Sequence, residues 1–218
     1  MKIVIQCAAS KNHAAGNMKT KDGKPVVFVA RPELAPPTTN HVYAHPDDNA
    51  EDGWRWRDHV SAYNGNLSTN PLGLLPAWLL YQHPAYAALV ERYGTENVFI
   101  LSAGWGLLSA DFLTPVYDIT FSAQAEPFKR RRAHDAYADF NMLEGRGNEP
   151  VAFFGGKDYL PLFCRLTANY SGRRIAVFNS ATQPQAHGVR FVRYHSRTRT
   201  NWHYEAVSAF LDGDFFAE

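Results

Sequence analysis

Three apolar runs that break abruptly into small-residue or glycine loops constrain this chain more than any other feature. Ile3, Val4 and Ile5 lead into Cys7-Ala8-Ala9-Ser10-Lys11. Val98, Phe99, Ile100 and Leu101 lead into Ser102-Ala103-Gly104-Trp105-Gly106, and Pro150 to Phe154 into Gly155-Gly156-Lys157-Asp158-Tyr159. Short continuous runs rich in β-branched and aromatic residues read as strands buried on both faces. Runs at 174–178 and 189–194 have the same character. Helical spacing falls between them: at 71–93, divided by Pro76 and Pro84, and at 133–143, 158–169 and 202–211. Strands separated by helices predict a single α/β domain with a mostly parallel central sheet flanked by helices.

Residues 12–70 break this rhythm. They carry Pro25, Pro32, Pro36, Pro37 and Pro46 and an acidic stretch at 47–52, and only short strands such as 26–29 are credible there. The expectation is a long irregular insertion or lid after the first strand, with Trp54 and Trp56, interleaved with Arg55 and Arg57, enlarging or covering a pocket. At 218 residues and 45% hydrophobic content, one substantial core suffices to hold the chain.

Several chemistries lose their markers. Cys7 and Cys164 lie far apart and form no Cys-x-x-Cys pair, which argues against a disulfide framework and for a reducing compartment. His41 and His45 have i,i+4 spacing but stand in a proline-rich segment with no helix to align them, so no metal site is expected. Walker, dinucleotide-binding and Gly-x-Ser-x-Gly patterns are absent, and no cofactor is expected. The apolar run at 3–5 is too short for a signal-peptide core, and no stretch approaches the roughly 18 to 20 apolar residues of a membrane span. A cytoplasmic protein with no membrane partner and no obligate protein partner is the expectation.

In open α/β sheets ligands sit beyond the carboxyl ends of strands, where loop amides and helix N-termini converge. The three strand-end loops are therefore the candidate site. Ser10 and Ser102 offer hydroxyls, and Lys11 and Lys157 offer cations. Trp105, flanked by two glycines, has two possible roles: a stacking platform for a base, or a core residue in a turn. Tyr117 and Asp118 follow a proline-bearing loop that brings a carboxylate near the same edge, while Asp158 stands at the start of a helix as a second carboxylate or as a cap.

These motifs carry a resemblance. The small-residue turn at 7–11, the Ser-Ala-x-x-Gly-Leu-Leu loop at 102–108 with Tyr117-Asp118 after it, and the Gly-x-x-Tyr turn at 156–159 occur in an order similar to the YaaA-like peroxide-stress proteins and related bacterial and phage proteins. Asp118 stands where the YaaA family tends to carry an arginine, and the insertion at 12–70 is a further departure. The resemblance implies a DNA-binding role. A second similarity, to base-excising glycosylases of anti-phage defence, implies cleavage of an N-glycosidic bond in DNA that carries modified bases such as hypermodified phage cytosines. On that implication Asp118 is the first candidate for the carboxylate that stabilises an oxocarbenium-like sugar, and Asp158 the second. Trp105 and Tyr117 would stack on the extruded base; Ser10, Lys11, Ser102 and Lys157 would contact it or its phosphates. A non-enzymatic DNA-binding protein and a nucleotide-binding regulatory module are the competing readings.

The net charge of +1 makes the distribution of cations the informative quantity. Lys129, Arg130, Arg131 and Arg132 form one cluster; Arg193, Arg197 and Arg199 form another, in a stretch at 171–209 whose one acid is Glu205. Both are expected to face DNA.

Overall fold

The computed structural model describes residues 1–66, 69–198 and 200–214. In chain order the strands and helices are β1 (Lys2–Gln6), β2 (Val26–Val29), β3 (Val42–Ala44), α1 (Trp56–Gly65), β4 (Leu75–Pro76), α2 (Pro84–Tyr93), β5 (Val98–Ser102) and β6 (Gly106–Ser109). They continue as β7 (Leu113–Thr114), β8 (Tyr117–Asp118), β9 (Phe140–Asn141), β10 (Val151–Phe154), α3 (Leu160–Leu166), β11 (Arg174–Phe178), β12 (Val189–Arg193) and α4 (Trp202–Leu211). Seven strands make the central sheet in the order β12-β11-β10-β1-β5-β6-β9. β12, β11, β10, β1 and β5 run parallel; β5 turns back into antiparallel β6, and β9 follows β6 in parallel. The fold is thus the single α/β domain with a mostly parallel sheet expected from the apolar runs.

Neighbouring residues of β10 show why those runs lack polar alternation. Side chains of a strand point to opposite faces in turn, and here both faces are covered. Phe153 stacks on Phe163 of α3 with ring centroids 4.7 Å apart, and Phe154 meets Phe210 of α4 at 5.2 Å. α4 also lies against α2, where Tyr93 stacks on Phe210 at 5.5 Å and His83 on Tyr204 at 3.5 Å.

The segment at 12–70 is not a detachable lid. β2 lies between β3 and β8 in a second, parallel sheet, and Val26, Phe28, Trp56 and Val60 join the same apolar core as β1 and β5. The guanidinium of buried Arg57 donates to the carbonyls of Trp105 (3.0 Å) and Gly104 (3.2 Å) and is neutralised by Asp47 at 2.5 Å. Trp56 belongs to this core, whereas Trp54 is exposed.

Three helix expectations are corrected. Residues 133–143 form no helix, because their backbone groups bond to distant partners: Ala138 N–H to Asp47, Phe140 N–H to Trp105 and Met142 N–H to Leu107. Of the span 71–93 only Pro84–Tyr93 is helical; earlier, Leu75–Pro76 pairs with Leu113–Thr114. The helix expected at 158–169 shortens to Leu160–Leu166 with Tyr159 as its N-cap, so Asp158 lies outside it and makes no cap bond.

Candidate functional site

β1 is flanked by β5 on one side and β10 on the other, so the strand order reverses direction between β1 and β10. Such a switch point opens a crevice beyond the strand ends. Here it is a cleft of about 490 Å³, floored by Cys7 and Tyr159, within the roughly 300–1,000 Å³ of small-molecule sites. Residues 120–124 make one wall; the other is residues 200–204, the entry to α4.

The loops are tied at their base. Gln6 Oε1 accepts from Gly156 N–H at 2.6 Å, and Cys7 Sγ lies 3.2 Å from the Tyr159 hydroxyl. Beneath them Tyr81 and Tyr117 share a 2.8 Å hydrogen bond, and Tyr86 donates to Gln6 O at 2.8 Å while meeting Tyr204 at 3.1 Å. Burial pushes the phenols of Tyr81, Tyr117 and Tyr159 well above the ordinary tyrosine range, so they stay neutral. Lys11 lies over the Tyr117 ring at 4.4 Å. Burial lowers its pKa, opposed by Cys7 and Asp118.

His203, on the first turn of α4, is 3% exposed and lines the cleft, and its Nε2 has no hydrogen-bond partner. Burial, helped by His83, lowers its pKa to about 4, so the imidazole is neutral near pH 7. No side chain caps α4, whose N-cap Asn201 adopts φ 59°. Asn201 to Tyr204, the entry to this helix, line the cleft wall, and Glu205 of the same first turn accepts from Arg197 N–H and the Thr198 hydroxyl.

Among the described residues lining the cleft, Asp158 is the one carboxylate, and it makes no ion pair or side-chain hydrogen bond. A second depression adjoins it at Ala123 and Asp158 and is bordered by Arg130, Arg132 and Lys157. The depression that adjoins the cleft is therefore bordered by cations.

Other expected site residues lie elsewhere. Trp105 is 0% exposed, edge-on to Phe28 at 4.9 Å and beneath the Arg57 guanidinium, so the stacking-platform reading is wrong. Tyr117 is 1% exposed and cannot stack on a base from solvent. Ser102 is fully buried and holds the hairpin turn, accepting from Gly104 N–H (3.2 Å) and Trp105 N–H (3.1 Å). Ser10 is exposed, but neither it nor Lys11 lines the cleft. Asp118 lies outside the lining, 47% exposed and 2.9 Å from Lys129.

The basic clusters also divide. Arg131 is 1% exposed and locked bidentately to Asp139 at 2.8 and 2.6 Å, so it is structural and not a DNA contact. Lys129 is paired with Asp118 and Glu126; Arg130 and Arg132 remain on the rim. Arg193 binds the carbonyls of Ser180 and Ala181, Arg197 is exposed, and Arg199 lies outside the described residues.

The residues that reading by motif missed are Thr120, Gln124, Thr200 and His203. They flank no glycine signal and reach the cleft through folding. No group of three or more potential metal ligands occurs among the described residues, both cysteines are free, and no described helix is long and apolar enough to cross a membrane. No family model, curated protein or solved structure matches the chain.

Proposed function

We propose that the protein acts on DNA, holding one nucleoside unit at the cleft between β1 and β10 and cleaving its N-glycosidic bond. The observation that carries this reading is the unpaired carboxylate of Asp158, shared between the cleft and an adjoining depression bordered by Arg130, Arg132 and Lys157. A polyanion approaches such a border, and its phosphates settle on cations. Within the cleft a carboxylate stabilises positive charge developing on the sugar.

The step balances with water as the co-reactant. The bond from C1′ to the base nitrogen breaks and its electron pair leaves with the base. Water, oriented by Asp158, adds to C1′, and its proton passes through the carboxylate to solvent or to the departing base. Free base and an abasic site result. The ground for proposing a modified base as the preferred substrate is the resemblance to base-excising glycosylases read from the sequence alone.

The test is incubation of the protein with modified and unmodified DNA, without nucleotide or metal, followed by chromatography for free base and an aldehyde-reactive probe for abasic sites. Release from modified DNA that Asp158→Asn abolishes is the expected result. Intact DNA after prolonged incubation overturns it. The uncapped α4 N-terminus favours a second reading, a nucleotide-binding module, which would show saturable mononucleotide binding without turnover.

A further inference from the structure

A smaller cavity of about 210 Å³ adjoins the cleft, lined by residues at the ends of β10 and β11 and by Phe191 of β12. Its wall chemistry is different. Phe153, Phe178, Phe191 and Trp202 supply aromatic surface, with Phe178 and Phe191 edge to face at 6.1 Å, whereas Asn179 and Ser180 stand among its polar residues. Gly156, Asp158 and Trp202 line both cavities, which therefore adjoin one another.

We infer that the ligand is bipartite: an aromatic heterocycle occupies the cavity between Phe178, Phe191 and Trp202, and its sugar-phosphate lies in the polar cleft, with Asp158 at the junction. Size and chemistry both favour this assignment. The volume falls below the roughly 300–1,000 Å³ of pockets for drug-sized ligands, suiting a single nucleobase, and aromatic walls with an amide and a hydroxyl nearby match a flat ring bearing polar edges. The adjoining cleft carries, on the first turn of α4, the buried Nε2 of His203, which has no hydrogen-bond partner and can donate to a phosphate oxygen. Asp158, lining both halves, stands where the bond joining base to sugar must cross.

The inference rests on the proposed nucleoside chemistry, and equilibrium binding tests it separately from cleavage. Wild-type protein would be titrated by calorimetry with free cytosine and adenine and, independently, with 2-deoxyribose 5-phosphate. Phe191→Ala is expected to weaken base binding at least tenfold and leave the sugar phosphate unchanged. Gln124→Glu, which adds a negative charge to the polar cleft, is expected to do the reverse. Melting temperatures establish that each variant folds. Should Phe191→Ala fail to fold, Asn179→Leu at the border of the same cavity replaces it, with the same selective loss expected for base. Failure of wild-type protein to bind either base, or equal effects of both variants on both ligands, overturns the bipartite site. Separable binding without base release from DNA would leave it standing and remove the cleavage reading.

Discussion

The turn joining β5 to β6 and the loop following β10 are built from similar materials. Each follows a buried strand, each carries two glycines and an aromatic residue, and each lies at the carboxyl edge of the same sheet. Their fates diverge because of what comes next. After Ser102 the chain doubles back as an antiparallel strand and is covered by Arg57 of α1 and Phe28 of the second sheet, so Trp105 is sealed. After Phe154 it passes instead into a helix on one face while its neighbour β1 departs toward the other, so Gly156, Lys157 and Asp158 border open cavities. A glycine-rich strand end is thus a site only where the chain parts from its neighbours.

Trp105→Ala should cost about 3–5 kcal/mol, the range for deleting a buried aromatic side chain, as read from urea unfolding. A change below about 1 kcal/mol would mean the turn is not sealed.

Next comes the wall of the open region. His203 has a folded pKa of about 4 against an ordinary 6.5. The unfolded chain therefore binds the extra proton first, and the contribution of neutral His203 is complete above pH 6.5 and is lost progressively as pH falls to 4. At 1.36 kcal/mol per pH unit for one proton, the loss approaches about 3 kcal/mol. Unfolding free energies measured across this range should flatten in His203→Gln; an unaltered pH slope would remove His203 as the cause.

Asp158→Asn and Asp118→Asn sharpen the contrast between cleft and exterior. The first should lower base release roughly 10²-fold or more, the scale for one preorganised electrostatic group, with stability within about 0.5 kcal/mol of wild type. The second removes an exposed pairing with Lys129 that contributes about 1 kcal/mol or less and should leave release nearly intact. Reversal of that order in single-turnover kinetics would return the catalytic role to Asp118.

The smallest effect concerns the cationic border. Replacing Arg132 and Lys157 with alanine should weaken duplex binding uniformly across sequences and reduce the salt slope by about 0.9 for each phosphate no longer neutralised. Arg131→Ala is the contrasting variant: its partner Asp139 would remain buried, so the damage should appear as about 3–5 kcal/mol of stability. A changed salt slope in a fully folded Arg131→Ala protein would show that this arginine meets DNA after all.

Much of the sheet was legible locally because a strand covered on both faces has to be apolar at every position. Ile3 to Ile5, Phe99 to Leu101 and Val151 to Phe154 could hardly serve elsewhere. Trp202–Leu211 was legible for a similar reason, its apolar spacing marking a face that packs on α2 and β10. The span 133–143 was misleading because its spacing suits a helix, but its amides bond to Asp47, Trp105 and Leu107, partners remote in sequence. The same limit applies to the site. Ser102, Trp105, Tyr117 and Arg131 carry no sign in sequence of lying inside the protein, since polar and aromatic groups serve equally in a core that satisfies them and in a cleft. The order of the buried strands and the chemistry of their loops are written locally along the chain. Which loops face solvent is set by folding, because burial and pairing depend on the crossing of segments such as residues 46–57 over the β5–β6 turn, and such long-range contacts leave no periodicity in the chain.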